Sequence, residues 1–190
     1  MNKNIIKAVK ILKKGGLIAF PTETVYGLGA NAECNTAVKK IFVIKKRPFF
    51  NPLICHFYDI DSVKKQTIFN SQAKLLSENF WPGPLTIILR RRKNSTISKI
   101  ATSELDTIAC RIPSNRIAKK ILKLFKGIIA APSANISSKL TSTSKKHVRK
   151  NFGQGILTIE GGNTKFGIES TVIDLTSKNP KLLRPGAINF

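Results

Sequence analysis

The stretch Lys45-Lys46-Arg47-Pro48-Phe49-Phe50-Asn51-Pro52-Leu53 separates a helical pattern from a strand pattern, and so decides how the chain alternates between them. Apolar residues at helical spacing precede it over residues 38–42. Because the residue before a proline disfavours the helical conformation, we expect this helix to end near Lys46. The apolar run over residues 53–58 then predicts a strand.

This division places Lys45, Arg47 and Asn51 on a helix-to-strand loop. Arginine offers a planar fork of donors and lysine a compact charge, so grouped cations suit an anionic ligand. Basic runs of this kind are also common as solvated surface, and on this stretch alone that interpretation is favoured. The neighbouring pair Phe49-Phe50 has no explanation at this level.

Apolar periodicity predicts the other elements. Helices are expected over residues 5–12, 62–79 as one or two helices, 117–125 and 144–152, with Asn35 and Asn115 as N-caps. The first has Ile5, Ala8, Val9 and Leu12 as its apolar face. Strands are expected over residues 17–20, 85–89, 107–112, 128–131, 156–160 and 170–175, and residues 21–30 are expected to form a loop. Alternating helices and short strands indicate a single α/β domain over residues 1–190, with an open, twisted mixed sheet.

Arg111 interrupts an otherwise apolar strand. Period-two alternation over residues 107–112 places Ile108, Cys110 and Ile112 on one face and Arg111 on the other. A covered arginine needs a partner, because an uncompensated buried charge costs several kcal/mol, roughly. A ligand carboxylate and a structural Asp or Glu are equally open at this point.

Two hydroxyl-rich loops follow predicted strands, Pro21-Thr22-Glu23-Thr24 and Pro132-Ser133-Ala134-Asn135. Each alone is ordinary turn chemistry, but two at strand exits are typical of a ligand site. His56 lies on the predicted strand over residues 53–58, opposite the face of Cys55. A lone histidine there is more often structural than a ligand contact.

The formal net charge of +23, from 33 Lys+Arg against 10 Asp+Glu, points to phosphate-bearing partners such as nucleotides or nucleic acid. The run Arg90-Arg91-Arg92-Lys93 is compatible with RNA backbone contact or with a solvated loop. Three scattered cysteines predict reduced thiols and no zinc site. With no signal-like segment and no run of 18 apolar residues, we expect a cytoplasmic protein without membrane contact.

Seven motifs in order resemble the YrdC/TsaC family of threonylcarbamoyl-AMP synthases. They are Phe20-Pro-Thr-Glu-Thr-Val-Tyr-Gly-Leu-Gly29, Lys45-Lys46-Arg47-Pro48 with Asn51-Pro52-Leu53, Trp81-Pro82-Gly83-Pro84-Leu85-Thr86, Arg111-Ile112-Pro113, Ala131-Pro132-Ser133-Ala134-Asn135, Glu169-Ser170-Thr171-Val172-Ile173-Asp174 and Arg184-Pro185-Gly186. The resemblance implies a YrdC-like fold around a basic concave surface. It also implies a nucleotidyltransferase that condenses L-threonine, bicarbonate and ATP to threonylcarbamoyl-AMP and pyrophosphate, for tRNA threonylcarbamoyladenosine modification.

The resemblance also implies site residues. The catalytic and triphosphate contacts would be Lys45 and Arg47, and the further ATP contacts Asn51, Thr107, Ser133, Asn135, Thr143 and Arg184. The L-threonine contacts would be Thr24, His56, Arg111 and Ser170. Mg²⁺ would accompany ATP without protein ligands, held by phosphate and water. A downstream tRNA threonylcarbamoyltransferase and RNA or tRNA itself are the implied partners.

The sequence departs from the family pattern at Phe49-Phe50, at Ser137-Ser138-Lys139 and at Ser142-Thr143. Its end, four residues past Gly186, resembles the short form without an additional C-terminal domain. Two alternatives stay open here. One is a non-catalytic RNA-binding or ribosome-assembly module that uses the basic cavity, and the other is a paralogue with a different acceptor.

Overall fold

The computed structural model describes residues 3–188. Within this range the helices are α1 (Lys3–Lys13), α2 (Asn35–Lys45), α3 (Ile60–Gln66), α4 (Ser71–Phe80), α5 (Arg116–Phe125) and α6 (Lys145–Phe152), with a 3-10 helix over Lys99–Thr102. The strands are β1 (Ile18–Pro21), β2 (Tyr26–Asn31), β3 (Ile54–His56), β4 (Leu85–Arg90), β5 (Thr107–Arg111), β6 (Ile129–Ala130), β7 (Leu157–Thr158), β8 (Thr171–Asp174) and β9 (Lys181–Arg184).

The nine described strands form one mixed sheet in the order β7-β1-β2-β6-β3-β5-β4-β8-β9. Three pairs are parallel, namely β1 with β7, β3 with β5 and β4 with β8, and the other five are antiparallel. The predicted α/β class with a mixed sheet is therefore confirmed. The parallel pairs β3/β5 and β4/β8 lie side by side in this sheet, between β6 and β9.

Helices cover the sheet because their apolar residues recur at helical spacing. α1 buries Ile5, Ala8, Val9 and Leu12, as predicted, and packs on α5, whose N-cap Asn115 accepts hydrogen bonds from two backbone N–H groups. Strand alternation divides the core in two. In β1, Ile18 and Phe20 join the cluster under α1 and α5, whereas Ala19 joins a larger cluster with α2 and the central strands.

The prediction of a loop over residues 21–30 was wrong for its second half, which is strand β2. The glycines of β2 weaken the apolar pattern from which a strand is predicted, and one of them is required by packing. A Cβ atom on Gly29 would lie 2.7 Å from a ring carbon of Phe20 and 2.8 Å from a methyl of Ile129. Glycine within a strand often marks such a close approach. β9 was also not predicted.

Asn35 is not the cap of α2, contrary to the prediction. Cys34 occupies the cap position without a side-chain bond, and Asn35 Oδ1 accepts a hydrogen bond from Ser98 Oγ at 2.6 Å. The predicted helical region 62–79 is two helices, α3 capped by Asp59 and α4 capped by Asn70. Ser144, where the last helix was expected to begin, is the N-cap of α6.

The three cysteines are free thiols, and Cys55 and Cys110 face each other across β3 and β5 in the buried core. Residues 3–188 contain no cluster of three or more His, Cys, Asp or Glu side chains that could hold a metal. Across the same residues, every helix is too short or too polar to span a bilayer.

Candidate ligand-binding site

A cavity of about 200 Å³ lies over the central strands, with Ile54, Ile88, Ala109 and Val172 contributed by the neighbouring strands β3, β4, β5 and β8. Eight of the twelve predicted site residues line it. These are Thr24, Arg47, Asn51, His56, Arg111, Ser133, Ser170 and Arg184. Residues that are far apart in the chain thus converge, because the strand ends and loops that carry them lie around one space.

Arg111 has a structural partner, Glu23. Its Nη2 atom donates to Oε1 of Glu23 at 2.6 Å, its Nε donates to the Gly83 carbonyl at 3.3 Å, and both charged side chains are buried. The structural acid, one of the two alternatives left open by the sequence, is therefore present. Arg111 still lines the cavity beside this pair.

Glu23 also binds the start of α5. Its Oε2 atom accepts from the backbone N–H groups of Ser114 at 3.0 Å and Asn115 at 3.2 Å. Burial alone would raise the pKa of the Glu23 carboxyl, but the Arg111 guanidinium and these donors outweigh it and hold the pKa below the ordinary value. Glu23 is therefore ionised and orients Arg111 at neutral pH.

His56 is buried beside Arg111, and both side chains line the cavity. Burial, and then the positive charge of Arg111, lower the pKa of His56 to about 3, so its imidazole is neutral at neutral pH. Its Nδ1 atom is buried and makes no hydrogen bond. Because buried polar atoms are nearly always paired, this unpaired nitrogen is a candidate contact for a ligand group.

Arg184 and Ser170 also line the cavity and are bonded to each other. The Nε and Nη2 atoms of Arg184 donate to the carbonyl and the hydroxyl of Ser170, both at 3.0 Å, and its Nη1 pairs with Glu169. The Ser170 hydroxyl also lies 2.8 Å from that of Thr86. The guanidinium is thus fixed along the two residues that precede β8.

Arg47 closes the loop between α2 and β3. It donates through Nε to the Asn51 carbonyl at 3.0 Å, and through Nη2 to Asn51 Oδ1 at 2.7 Å and to the Pro52 carbonyl at 2.9 Å. Desolvation lowers the pKa of Arg47, with Glu169 and Arg184 exerting smaller effects of opposite sign. These carbonyl contacts hold the cation at the cavity rim.

The same loop explains one of the two phenylalanines. The Phe49 ring stacks on Phe42 of α2 at 4.8 Å between centroids with 15° between planes, whereas Phe50 is 81% exposed. Phe49 therefore anchors the loop to the helix that precedes it. Nothing in the structure explains Phe50.

Lys45 differs from its predicted place on the loop. It is the last residue of α2, fully buried, and its Nζ atom donates to the carbonyls of Ser133, at 2.6 Å, and Asn135. Desolvation, followed by repulsion from Arg47, lowers its pKa to about 8. The residue that follows the helix is Lys46, with a left-handed φ of 53°, and its side chain is exposed.

Four predicted site residues do not line the cavity: Lys45, Thr107, Asn135 and Thr143. Lys45 lies behind Ser133, and Asn135 donates to the Ile136 and Lys139 carbonyls, with its Oδ1 buried and unpaired. Thr143 Oγ1 lies 3.1 Å from His147 Nδ1, and Thr107 pairs with Arg90 at the far end of β5. None of the four is among the residues that line the cavity.

Sequence reasoning missed Thr22, Glu23 and Glu169. The Thr22 hydroxyl donates to the Val25 carbonyl at 2.6 Å and lies 2.9 Å from that of Thr24, so it shapes the first hydroxyl loop. Glu23 and Glu169 each pair with a cavity arginine. A signal was available, because a chain with only 10 Asp+Glu places both acids inside the quoted motifs.

The chain is similar in sequence to known proteins. A family model, Sua5/YciO/YrdC, described as "Telomere recombination", matches residues 10–186. Proteins named threonylcarbamoyl-AMP synthase from Pyrococcus abyssi and Bacillus subtilis are 48% and 44% identical over 95% and 97% of this chain, which covers 53% and 54% of their lengths. The chain thus spans about half the length of these curated relatives.

Solved structures share the fold. The P. abyssi Sua5 crystal structure, titled as complexed with L-threonine, superposes with a TM-score of 0.93 at 47% identity, over 96% of this chain and 54% of that one. E. coli YciO superposes with a TM-score of 0.86 at 27% identity, over 98% of this chain and 90% of that one. The chain belongs to the Sua5/YciO/YrdC family.

Proposed function

We propose that this chain is a threonylcarbamoyl-AMP synthase, which condenses L-threonine, bicarbonate and ATP to threonylcarbamoyl-AMP and pyrophosphate. One observation carries the proposal: a single cavity is lined by three arginines, Arg47, Arg111 and Arg184, together with the neutral imidazole of His56. Such a cavity can hold an amino acid beside a phosphate chain. The names of the relatives support the same reaction.

The threonine subsite is proposed to consist of Arg111, His56, Thr24 and Ser170. Arg111 would bind the carboxylate with the donor edge that Glu23 leaves free, because a guanidinium carries five N–H donors. The unpaired Nδ1 of His56 would bind the amine or the hydroxyl of threonine. A site whose buried polar atoms need a substrate hydroxyl discriminates against analogues that lack it.

The ATP subsite is proposed to include Arg47, Asn51, Ser133 and Arg184 at the cavity, with Lys45, Thr107, Asn135 and Thr143 around it. The cavity volume of about 200 Å³ is small for a nucleotide, so the adenosine would extend over the open rim. Lys45 would act through the Ser133 loop that it holds, in addition to its charge. Its role as a direct phosphate contact stays a prediction.

The proposed reaction needs no protein nucleophile. The threonine amine attacks bicarbonate and water leaves, which gives a carbamate. A carbamate oxygen then attacks the α-phosphorus of ATP and pyrophosphate leaves. Arg47 and Arg184 would stabilise the charge that develops on the phosphate oxygens, and fixed hydrogen bonds already orient both groups.

Mg²⁺ is proposed to accompany ATP without protein ligands. The carboxylates nearest the cavity, Glu23 and Glu169, are each paired with an arginine. This donor set suits an ion held by phosphate oxygens and water. Bound in that way, the ion would neutralise part of the triphosphate charge.

The remaining proposals concern the whole protein. We propose a single domain over residues 1–190, supported by the continuous sheet, and a cytoplasmic location, supported by the free thiols. The product would pass to a tRNA threonylcarbamoyltransferase, and RNA or tRNA would be a further partner.

The test is pyrophosphate release from ATP with each substrate omitted in turn. We expect release only when L-threonine and bicarbonate are both present, and slower release when serine replaces threonine. Equal release without threonine would refute the proposed reaction. Faster release with another amino acid would indicate a related enzyme with a different acceptor.

A further inference from the structure

A second cationic feature lies beyond the cavity, at the exit of β4. Residues 90–93 (Arg-Arg-Arg-Lys) and Lys99 line an open groove of about 700 Å³ with Ile68, Asn94 and Asp106. This groove and the cavity share no lining residue. The proposed reaction does not use these cations.

The groove continues on both sides. Through Ile68 and Arg90 it adjoins a groove of about 370 Å³ that reaches Lys178, and through Arg92 and Asn94 it adjoins one of about 490 Å³ that reaches Lys64 and Lys65. We call these three spaces together the basic groove. Eight cations line it against one acid, Asp106.

These charges are not neutralised internally. The ion pairs among residues 3–188 involve Lys74, Arg111, Lys145 and Arg184, and none involves a basic-groove cation. Two arginines are also held in place by hydrogen bonds from the Nε atom of the guanidinium group. Arg90 Nε donates to the Thr176 carbonyl at 3.1 Å, and Arg92 Nε donates to the Lys64 and Thr67 carbonyls, both at 2.9 Å. Their terminal nitrogens stay available on exposed side chains.

We propose that the basic groove binds the sugar–phosphate backbone of a nucleic acid. Nucleic-acid interfaces are polar and strongly positive, whereas the centres of protein interfaces are apolar and depleted in lysine. Ile68 is the exposed large apolar side chain in the basic groove, and no aromatic residue lines it. Contacts would therefore be to phosphates rather than to stacked bases, and binding would be independent of sequence.

The test uses a fluorescein-labelled 30-nucleotide RNA of mixed sequence and a variant carrying Lys65→Gln, Lys93→Gln and Lys99→Gln. These side chains are exposed and make no hydrogen bond. The matched control carries Lys7→Gln, Lys10→Gln and Lys123→Gln on the exposed faces of α1 and α5, with the same loss of charge. Equal thermal midpoints would show that both variants are folded.

We expect the groove variant to bind about 100-fold more weakly at 0.1 M NaCl, with a slope of log affinity against log salt that is shallower by about 2. The control should stay within about threefold of the unmodified chain, because charges beyond about 10 Å are screened at this salt concentration. Equal loss in both variants, or no binding at 50 mM salt, would overturn the proposal.

Two competition arms locate and classify the ligand. Arg47→Gln in the cavity should leave RNA binding within a few-fold, and a loss as large as that of the groove variant would move the site to the cavity. Poly-L-glutamate at equal charge should compete poorly with the RNA. Equal competition would instead identify a site for acidic peptides and refute the nucleic-acid assignment.

Discussion

Arg111 Nη2 lies 2.6 Å from Glu23 Oε1, and 88 residues of chain separate these two buried side chains. The pair joins the first hydroxyl loop to strand β5 and to the start of α5. Each member would be an uncompensated buried charge without the other. The proposed threonine subsite is therefore built on a carboxylate that contributes no contact of its own to the cavity.

Glu23→Gln should lower the free energy of unfolding by about 3–5 kcal/mol, because it leaves the Arg111 charge buried without its counter-ion. The control is Glu78→Gln, which removes an exposed pair with Lys74. That change should cost less than about 1 kcal/mol. Urea unfolding followed by fluorescence of Trp81, the single tryptophan, measures both. Equal costs would contradict the structural role of Glu23.

Because His56 is buried in its neutral form, we predict that the folded protein loses stability in mild acid. The unfolded chain protonates this histidine near pH 6.5, whereas the folded chain resists protonation until about pH 3. The unfolded state thus binds more protons between these values, and stability falls as the pH falls, by at most about 1.4 kcal/mol per pH unit.

Urea unfolding at pH 7, 6 and 5 measures this slope. His56→Gln should flatten it, whatever the variant's stability at pH 7. The lowered pKa of Glu23 adds a second loss, which begins only below its ordinary value of 4.5. A steep slope retained in the variant between pH 6.5 and 5 would place its origin elsewhere.

Gly186→Ala should destabilise the site edge. A Cβ atom there would lie 2.5 Å from the Glu169 oxygen, the Ser170 carbonyl carbon and the Thr171 nitrogen, and backbone cannot yield as a side chain can. We expect a loss of about 1–3 kcal/mol, as for other overpacked sites. Gly155→Ala, with nothing within 4 Å of the added carbon, should not change stability. Urea unfolding of both variants measures the difference.

Arg47→Gln should raise the KM for ATP by about 10- to 100-fold, because hydrogen bonds to charged groups contribute about 1.5–3 kcal/mol. Lys46→Gln removes the same charge from an exposed neighbour and should change the KM by less than about twofold. Pyrophosphate release against ATP concentration gives both values. Similar effects in the two variants would show that only general charge matters at this loop.

Cys34 should be the thiol that reacts first. A hydrogen bond from Thr36 and the nearby backbone N–H of Ala37 lower its pKa, whereas burial raises the pKa of Cys55 to about 12 and that of Cys110 well above its ordinary value. The thiolate is the reactive form. Iodoacetamide at pH 7.5 should add one label per folded chain, at Cys34 by peptide mapping, and three after unfolding.

Local patterns identified the elements whose signal is periodic. α1 and α5 place their apolar residues at helical spacing, and both were predicted as helices. β2 was missed because of its glycines, of which Gly29 leaves space for the side chains of Phe20 and Ile129. That requirement belongs to the packed sheet, and no neighbour in the sequence reveals it.

The candidate site divides in the same way. Eight of the twelve predicted residues line one cavity, because ordered motifs at strand ends converge wherever the strands are adjacent. The burial of Lys45 and the pairing of Glu23 depend on contacts across 88 residues in each case, so spacing alone could not supply them. The role of Phe49 could not be predicted either, because it depends on where the Phe42 ring lies in the folded chain.

Lys45 has a mechanical consequence. Its ammonium group is bonded to the Ser133 and Asn135 carbonyls, and its own carbonyl accepts from the Ser137 N–H at 2.9 Å. The end of α2 and the second hydroxyl loop are therefore joined through one residue. Any displacement of the Arg47 loop on nucleotide binding would also move Ser133, so the two proposed phosphate-binding segments would move together.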